Sequence, residues 1–188
     1  MKKISTLFKK DPDNLGRIIN VVNPENQWVF DGEYIATRKF DGTAMAIIDN
    51  ELYKRYDVKQ GRQVPSGAIA CQEPDEITGH HPHWVKCLRG NPEDQYAFDA
   101  FDALENKTDA TYELCGEKVQ SNPEKITGHK LIKHGSETLT LPGLSFDALK
   151  EYLSDSTNDI EGIVFHHKTD SRMCKLRKTD FGIKRKAK

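Results

Sequence analysis

Lys39-Phe40-Asp41-Gly42-Thr43 is the stretch on which the reading of this chain turns. Glu33–Arg38 and Thr43–Asp49 read as strands on either side of it. A lysine amine can attack phosphorus as a nucleophile. An acid two positions on shares a strand face with it, because side chains alternate with period 2. Asp41 is therefore expected beside Lys39, orienting the amine or a metal-bound water. Gly42 lets the backbone approach a phosphate or nucleoside closely. The same letters also describe a surface hairpin turn, since Asp-Gly is itself a turn signal. The rest of the chain has to decide between the two.

Outward from the motif, Asp49-Asn50-Glu51 turns the chain into a third strand, Leu52–Tyr56, and a hairpin of that length can return Arg55 to the neighbourhood of Lys39. Residues 57–83 are rich in Gly, Pro and His and read as a long loop. Asn91-Pro92-Glu93-Asp94 is a helix start, with Asn as cap, Pro in the first turn and acids beside it. Tyr96, Ala97, Ala100, Phe101 and Leu104 follow at helical spacing. Thr111–Val119 reads as a strand. Ser145 caps a second helix whose buried face is Phe146, Leu149, Tyr152 and Leu153. Ile160–His166 and Arg172–Arg177 close the pattern as a strand pair. The fold class is α+β, with no repeat and no dividing linker: a single domain over residues 1–188 that ends in a basic tail at 184–188.

Composition agrees with that size. At 188 residues the chain is long enough for one packed domain and too short for two ordinary ones. Hydrophobic residues make up 36% and charged residues 30%. No apolar run reaches a membrane span, and the first ten residues lack a signal-peptide core. Cys71, Cys87, Cys115 and Cys174 form no Cys-x-x-Cys pair and read as reduced thiols of a cytoplasmic protein. The net charge of −1 hides a basic C-terminal stretch. Its last residues suit either phosphate contact or a solvated, partly disordered terminus. Cys71, His80, His81, His83 and Cys87 crowd one segment, but their spacing matches no zinc-finger signature, so a structured loop is expected there. His80, His81 and Trp84 are candidates for stacking on RNA, against plain packing by Trp84.

Four further groups carry chemistry. Arg55 offers a guanidinium for a phosphate or ribose. Glu113, in Tyr112-Glu113-Leu114-Cys115-Gly116, puts a carboxylate into an otherwise apolar strand, where it can accept from ribose hydroxyls or hold a metal's water. Glu161-Gly162-Ile163-Val164 repeats the pattern, and such open oxygen ligands suit Mg²⁺. Lys175-Leu176-Arg177 sets two cations on one strand face, suited to a charged phosphoryl transition state and to lowering the pKa of a lysine nearby. Each alone also fits a solvated surface.

The ordered set, Lys-x-Asp-Gly, Arg, Glu-Leu-x-Gly, Glu-Gly-Ile-Val, Lys-x-Arg, resembles the covalent nucleotidyltransferase superfamily of polynucleotide ligases and mRNA capping enzymes, over roughly residues 33–181. Within it the chain looks most like the stand-alone ATP-dependent RNA ligases. Gly79-His80-His81-Pro82-His83-Trp84, Gly116–Pro123 and Leu131-Ile132-Lys133-His134-Gly135 are similar to the small 5′-to-3′ RNA ligase family. The resemblance implies a nucleotidyltransferase (ATP-grasp-like ligase adenylation) domain of antiparallel sheets flanked by helices, without an OB-fold. RNA grip then falls to the basic tail, the 57–83 loop or a partner.

The resemblance also assigns roles. Lys39 would be the nucleophile that takes AMP from ATP, and Asp41 and Lys175 would assist it. Arg55 would contact the nucleotide sugar or a 5′-phosphate, Glu113 the ribose, and Glu161 a Mg²⁺ or Mn²⁺ ion, with Glu113 a second metal candidate. Lys175 and Arg177 would match a lysine pair on the α-phosphate; arginine stands at the second position here and cannot carry a proton at neutral pH. No aromatic residue offers an obvious stack for adenine, and His134 is the substitute. The implied reaction joins RNA 5′-phosphate and 3′-hydroxyl ends. The alternatives are a DNA nick ligase, a GTP-using capping guanylyltransferase, and a non-catalytic RNA-binding module. The source, cellular or viral, stays open, and a small stand-alone ligase with no appended domains would suit a viral genome.

Overall fold

The computed structural model describes residues 4–74 and 79–185, which form a mixed α+β fold of mostly antiparallel sheets. In chain order the strands are β1 (Ser5–Thr6), β2 (Phe8–Lys10), β3 (Ile18–Val22), β4 (Tyr34–Lys39), β5 (Thr43–Ile48) and β6 (Glu51–Val58). There follow β7 (Ile69–Ala70), β8 (His81–Lys86), helix α1 (Gln95–Asp102), β9 (Ala110–Gly116), β10 (His129–Lys133), helix α2 (Phe146–Ser154), β11 (Gly162–His167) and β12 (Met173–Arg177). The chain resolves into two compact units, Asp41–His134 and Ile4–Phe40 with residues 135–185. No helix among the described residues is long and apolar enough to cross a membrane.

The unit that carries β4 is built on a four-stranded sheet, sheet A, in the order β1-β12-β11-β4. Its β1 runs parallel to β12, and its other pairs are antiparallel. One face is apolar. Ala36, Ile163, Phe165, Cys174 and Leu176 are all buried there, in one core with Leu149 and Leu153 of α2. Those two leucines belong to the predicted face of the helix, while Phe146 and Tyr152 pack at its rim. Ser145 caps α2 as expected, its hydroxyl accepting from the Ala148 amide at 3.2 Å.

The other unit is built on a six-stranded antiparallel sheet, sheet B, in the order β10-β9-β5-β6-β8-β7. The β5–β6 hairpin turns at Asp49 and Asn50, both with positive φ (51° and 60°), as a tight two-residue turn requires. Met45, Ile47, Tyr112 and Leu114 bury against Ala97, Ala100 and Phe101 of α1. Asn91 caps the entry to that helix through a short 3₁₀ turn, Pro92–Asp94.

Two sequence expectations are corrected here. The 57–83 stretch is not all loop: β6 runs on to Val58, β7 lies inside the stretch, and β8 begins at His81 and pairs with β6 from Val58 back to Tyr53. Pro82 concealed that strand, because proline is normally confined to strand ends and edges. Residues 75–78 of that stretch, and Lys186 and Lys188 of the basic tail, lie outside the described residues. Asp41 is also not on a strand: β4 stops at Lys39 and β5 begins at Thr43 in the other sheet. The alternation that would set Asp41 beside Lys39 therefore ends before reaching it.

Candidate active site

On sheet A the strand register lines up the candidate residues. Gly162 is paired with Lys39 on one side and with Arg177 on the other, and Val164 likewise lies between Thr37 and Lys175. Lys39, Lys175 and Arg177 therefore share the face opposite the apolar core. Gly162 makes the row possible, since a Cβ there would stand 2.2 Å from the Leu176 carbonyl oxygen. Glu161, just before β11, reaches back along that row to the lysine, with Lys39 Nζ 2.5 Å from Glu161 Oε2. Lys39 also donates to its own neighbour, the Phe40 carbonyl, at 3.3 Å.

The two cations of β12 differ sharply. Arg177 is anchored: its guanidinium donates to Asp180 at 2.9 and 3.3 Å, and its backbone amide donates to the same carboxylate at 2.8 Å. Asp180 is fully buried and also receives Lys10 at 2.7 Å. Burial alone would raise its pKa, but the hydrogen bonds from Arg177 and Lys10 outweigh it and hold the carboxyl below the ordinary range. The Lys175 amine, by contrast, makes no hydrogen bond or ion pair among the described residues. Burial, with Arg177 and Lys39 as like-charged neighbours, brings its pKa down to about 8. An amine in that state is a proton donor or acceptor near neutrality. The lowering that sequence analysis expected of a lysine beside β12 is thus found at Lys175 itself.

Sheet B presents a second polar face, the one turned away from α1. By register, Ala44 and Glu113 are neighbours, as are Ala46 with Tyr53 and Arg55 with Trp84. Glu113 and Arg55 therefore share a face, floored by two alanines. Arg55 pairs with Asp57 at 3.2 Å. Glu113 is buried and engaged at both oxygens. One accepts the Gly42 amide at 3.0 Å, and the other meets His134 Nε2 at 2.8 Å. A carboxylate only accepts, so Nε2 is the donor, and Nδ1 lies in hydrogen-bond contact with the Thr111 hydroxyl at 2.9 Å. His134 is thus held edge-on by Glu113 and Thr111.

Gly42 has a packing reason that its motif did not disclose. A Cβ there would lie 2.2 Å from the Leu114 carbonyl oxygen and 2.9 Å from Cys115 Sγ. The close approach that the glycine permits is to β9. The aspartate before it offers its backbone amide to Glu124 at 2.9 Å.

Sequence reasoning missed three groups at these faces. Lys10 and Asp180 form the clamp on Arg177, and only the spacing of Asp180 three residues beyond Arg177 hinted at it. Glu124 left no local signal. Among the described residues, no three His, Cys, Asp or Glu side chains gather as a metal centre would need. His81 and His83 are strand neighbours with ring centroids 4.2 Å apart, and Trp84 is buried beside Arg55 on β8.

Residues 84–187 match the family model described as RNA ligase 1. Among solved structures, a Naegleria gruberi RNA ligase mutant with AMP and Mn is similar, at 15% identity and a TM-score of 0.44. The match covers 93% of this chain and 60% of that one. No curated protein matches the sequence.

Proposed function

The chain belongs to the RNA ligase 1 family, and on that premise we propose that it is an ATP-dependent RNA ligase that works through a lysyl-AMP intermediate. We assign its two sheets to the nucleotidyltransferase (ATP-grasp-like adenylation) fold, as a single catalytic domain over 1–188. What carries the reading is the row on sheet A. A strand-end lysine is paired with a glutamate, and an unpartnered lysine of pKa about 8 stands on the same face.

The Lys39 amine, once free of its proton, attacks the α-phosphorus of ATP. A P–N bond forms, the bond to the β-phosphate oxygen breaks, and pyrophosphate leaves. Glu161 is placed to hold the ammonium until then. Lys175 and the clamped Arg177 offset charge on the phosphoryl group. Glu113 is proposed for the ribose and Arg55 for a phosphate. The AMP passes to an RNA 5′-phosphate, and a 3′-hydroxyl then displaces it. Magnesium, or manganese, would be held by one or two protein carboxylates and would offset charge on the phosphates. Glu161 fits that donor set, and Glu113, whose two oxygens each carry one hydrogen bond, is the second candidate. A reducing, cytoplasmic setting is proposed from the free cysteines.

The test is intact mass after incubation with magnesium and either ATP or GTP, after discharge of any carried nucleotide with pyrophosphate. An AMP adduct on the wild type, absent from Lys39→Ala, is expected. A GMP adduct would point to capping chemistry. No adduct with either nucleotide would overturn the reading in favour of a binding module, and joining of nicked DNA but not RNA ends would reassign the substrate.

A further inference from the structure

The loop between β9 and β10 has no part in the steps above, yet it is one of the most constrained segments of the chain. Gln120, Ser121 and Asn122 follow one another at φ 49°, 61° and 54°, and Lys125 sits at 56°. L-residues rarely adopt this left-handed region, and such backbones persist where the surroundings over-determine them. Here they do. The Asn122 side chain donates to the Ile126 carbonyl at 3.0 Å and accepts the Ile126 amide at 2.9 Å. Its backbone amide donates to Val119 at 2.7 Å.

The loop so closed delivers Glu124, half-buried, to the Asp41 amide. The next amide in the chain, that of Gly42, is held by Glu113. Two successive N–H groups of the Asp-Gly step are therefore gripped by two carboxylates, one from a strand and one from the strained loop. Each amide belongs to a different rigid peptide plane. Glu113 fixes the plane between Asp41 and Gly42. Glu124 fixes the plane between Phe40 and Asp41, the one nearer the lysine. With Glu113 alone, that nearer plane would still turn.

We propose that Glu124 is a positioning residue for nucleotidyl transfer at Lys39, acting through the Asp41 amide. The proposal rests on the lysyl-AMP reading. In-line attack depends on alignment, and a misplacement of about 1 Å can cost about 100-fold in rate. The role requires an acceptor oxygen at that amide and does not require a charge.

The experiment measures single-turnover adduct formation by the full chain with magnesium and ATP, for the wild type, Glu124→Ala and Glu124→Gln, with melting temperatures alongside. Glu124→Ala is expected to slow transfer about 10- to 100-fold while half-saturating ATP stays within about threefold. Glu124→Gln keeps an acceptor and should stay within about threefold of the wild-type rate. Transfer at the wild-type rate in Glu124→Ala overturns the proposal. Equal loss in both variants also overturns it, because charge and not the amide contact would then matter. A wild type without adduct is a different failure, that of the ligase reading, and takes this proposal with it. Where Glu124→Ala is unfolded, amide hydrogen exchange on the wild type decides: Asp41 should be protected, and exchange at the open-chain rate overturns the contact.

Discussion

The polar faces of sheets A and B carry the two sets of candidate groups under opposite conditions. On sheet B the buried acid is fully satisfied: Glu113 accepts from Gly42 and His134, and the far nitrogen of His134 is taken by Thr111. On sheet A, the half-buried Lys175 amine has no hydrogen-bond or ion-pair partner among the described residues and has Lys39 and Arg177 as like-charged neighbours. A satisfied buried group rigidifies a site, whereas an unsatisfied charge weakens the fold around it. On the reading proposed above, the contrast is between a fixed set of polar groups and a face left poised, and departures from local satisfaction of this kind are what functional sites tolerate.

Breaking the reactive face should have the largest consequence. Lys39→Arg keeps a positive charge but cannot supply a neutral nucleophile, so no adduct should appear by intact mass. Any adduct on that variant would mean that the acceptor is a different residue.

The clamp beneath sheet A comes next, and it tests stability. Asp180→Asn removes a buried carboxylate that holds Arg177 and Lys10, which are themselves about one-third exposed. Breaking a buried ion pair costs about 3–5 kcal/mol, and the partial exposure of the partners reduces this to about 2–3 kcal/mol. The folded pKa of Asp180 lies below its unfolded value, so its stabilisation is fully present above about pH 4 and is lost as pH falls through the folded value. Denaturant melts of the two proteins should converge as pH is lowered from about 5 to about 3.

The frame of sheet B can be challenged at Gly42. Gly42→Ala drives a methyl into β9 and should destabilise by about 1–3 kcal/mol, measured by urea unfolding. The adduct should also fall, because Glu113 would lose its hold on the Gly42 amide.

The last prediction has the opposite sign and sharpens the contrast. Lys175→Met should abolish efficient transfer and yet stabilise the fold at pH 7 by about 1–2 kcal/mol, the pKa shift being discounted for partial exposure. The folded pKa of about 8 lies below the unfolded 10.5, so the destabilisation is full below pH 8 and fades as pH rises toward 10.5. The advantage of the methionine variant should therefore vanish at high pH. A variant that is less stable at pH 7 would show Lys175 to be a structural cation.

Much of this was legible in the chain. The strands flanking Lys39, the Asp49-Asn50 turn and the caps at Asn91 and Ser145 depend on residues close in sequence, and local chemistry suffices for them. The strands β1 to β3 were not legible, because elements as short as Ser5–Thr6 exist only through pairing with a strand nearly 170 residues away. β10 was hidden because its only apolar residues, Leu131 and Ile132, are adjacent and so show no alternation. The position of Asp41 was misread because period-2 alternation says nothing about where a strand stops. The packing role of Gly42, the Asp180 clamp and the reach of Glu124 are tertiary facts with no local trace.

The order of strands in sheet A has a consequence for how the protein is made. Every strand of sheet B has been synthesised once His134 is in place, whereas β4 must wait for β11, more than a hundred residues downstream, before its lysine edge acquires a partner. Such distant pairings form slowly. During synthesis, therefore, the Lys39 strand has only its bridge to residues 137–139 until β11 has been made. The row of Lys39, Lys175 and Arg177, proposed above as the reactive face, comes into being only when the last strand of the sheet is laid down.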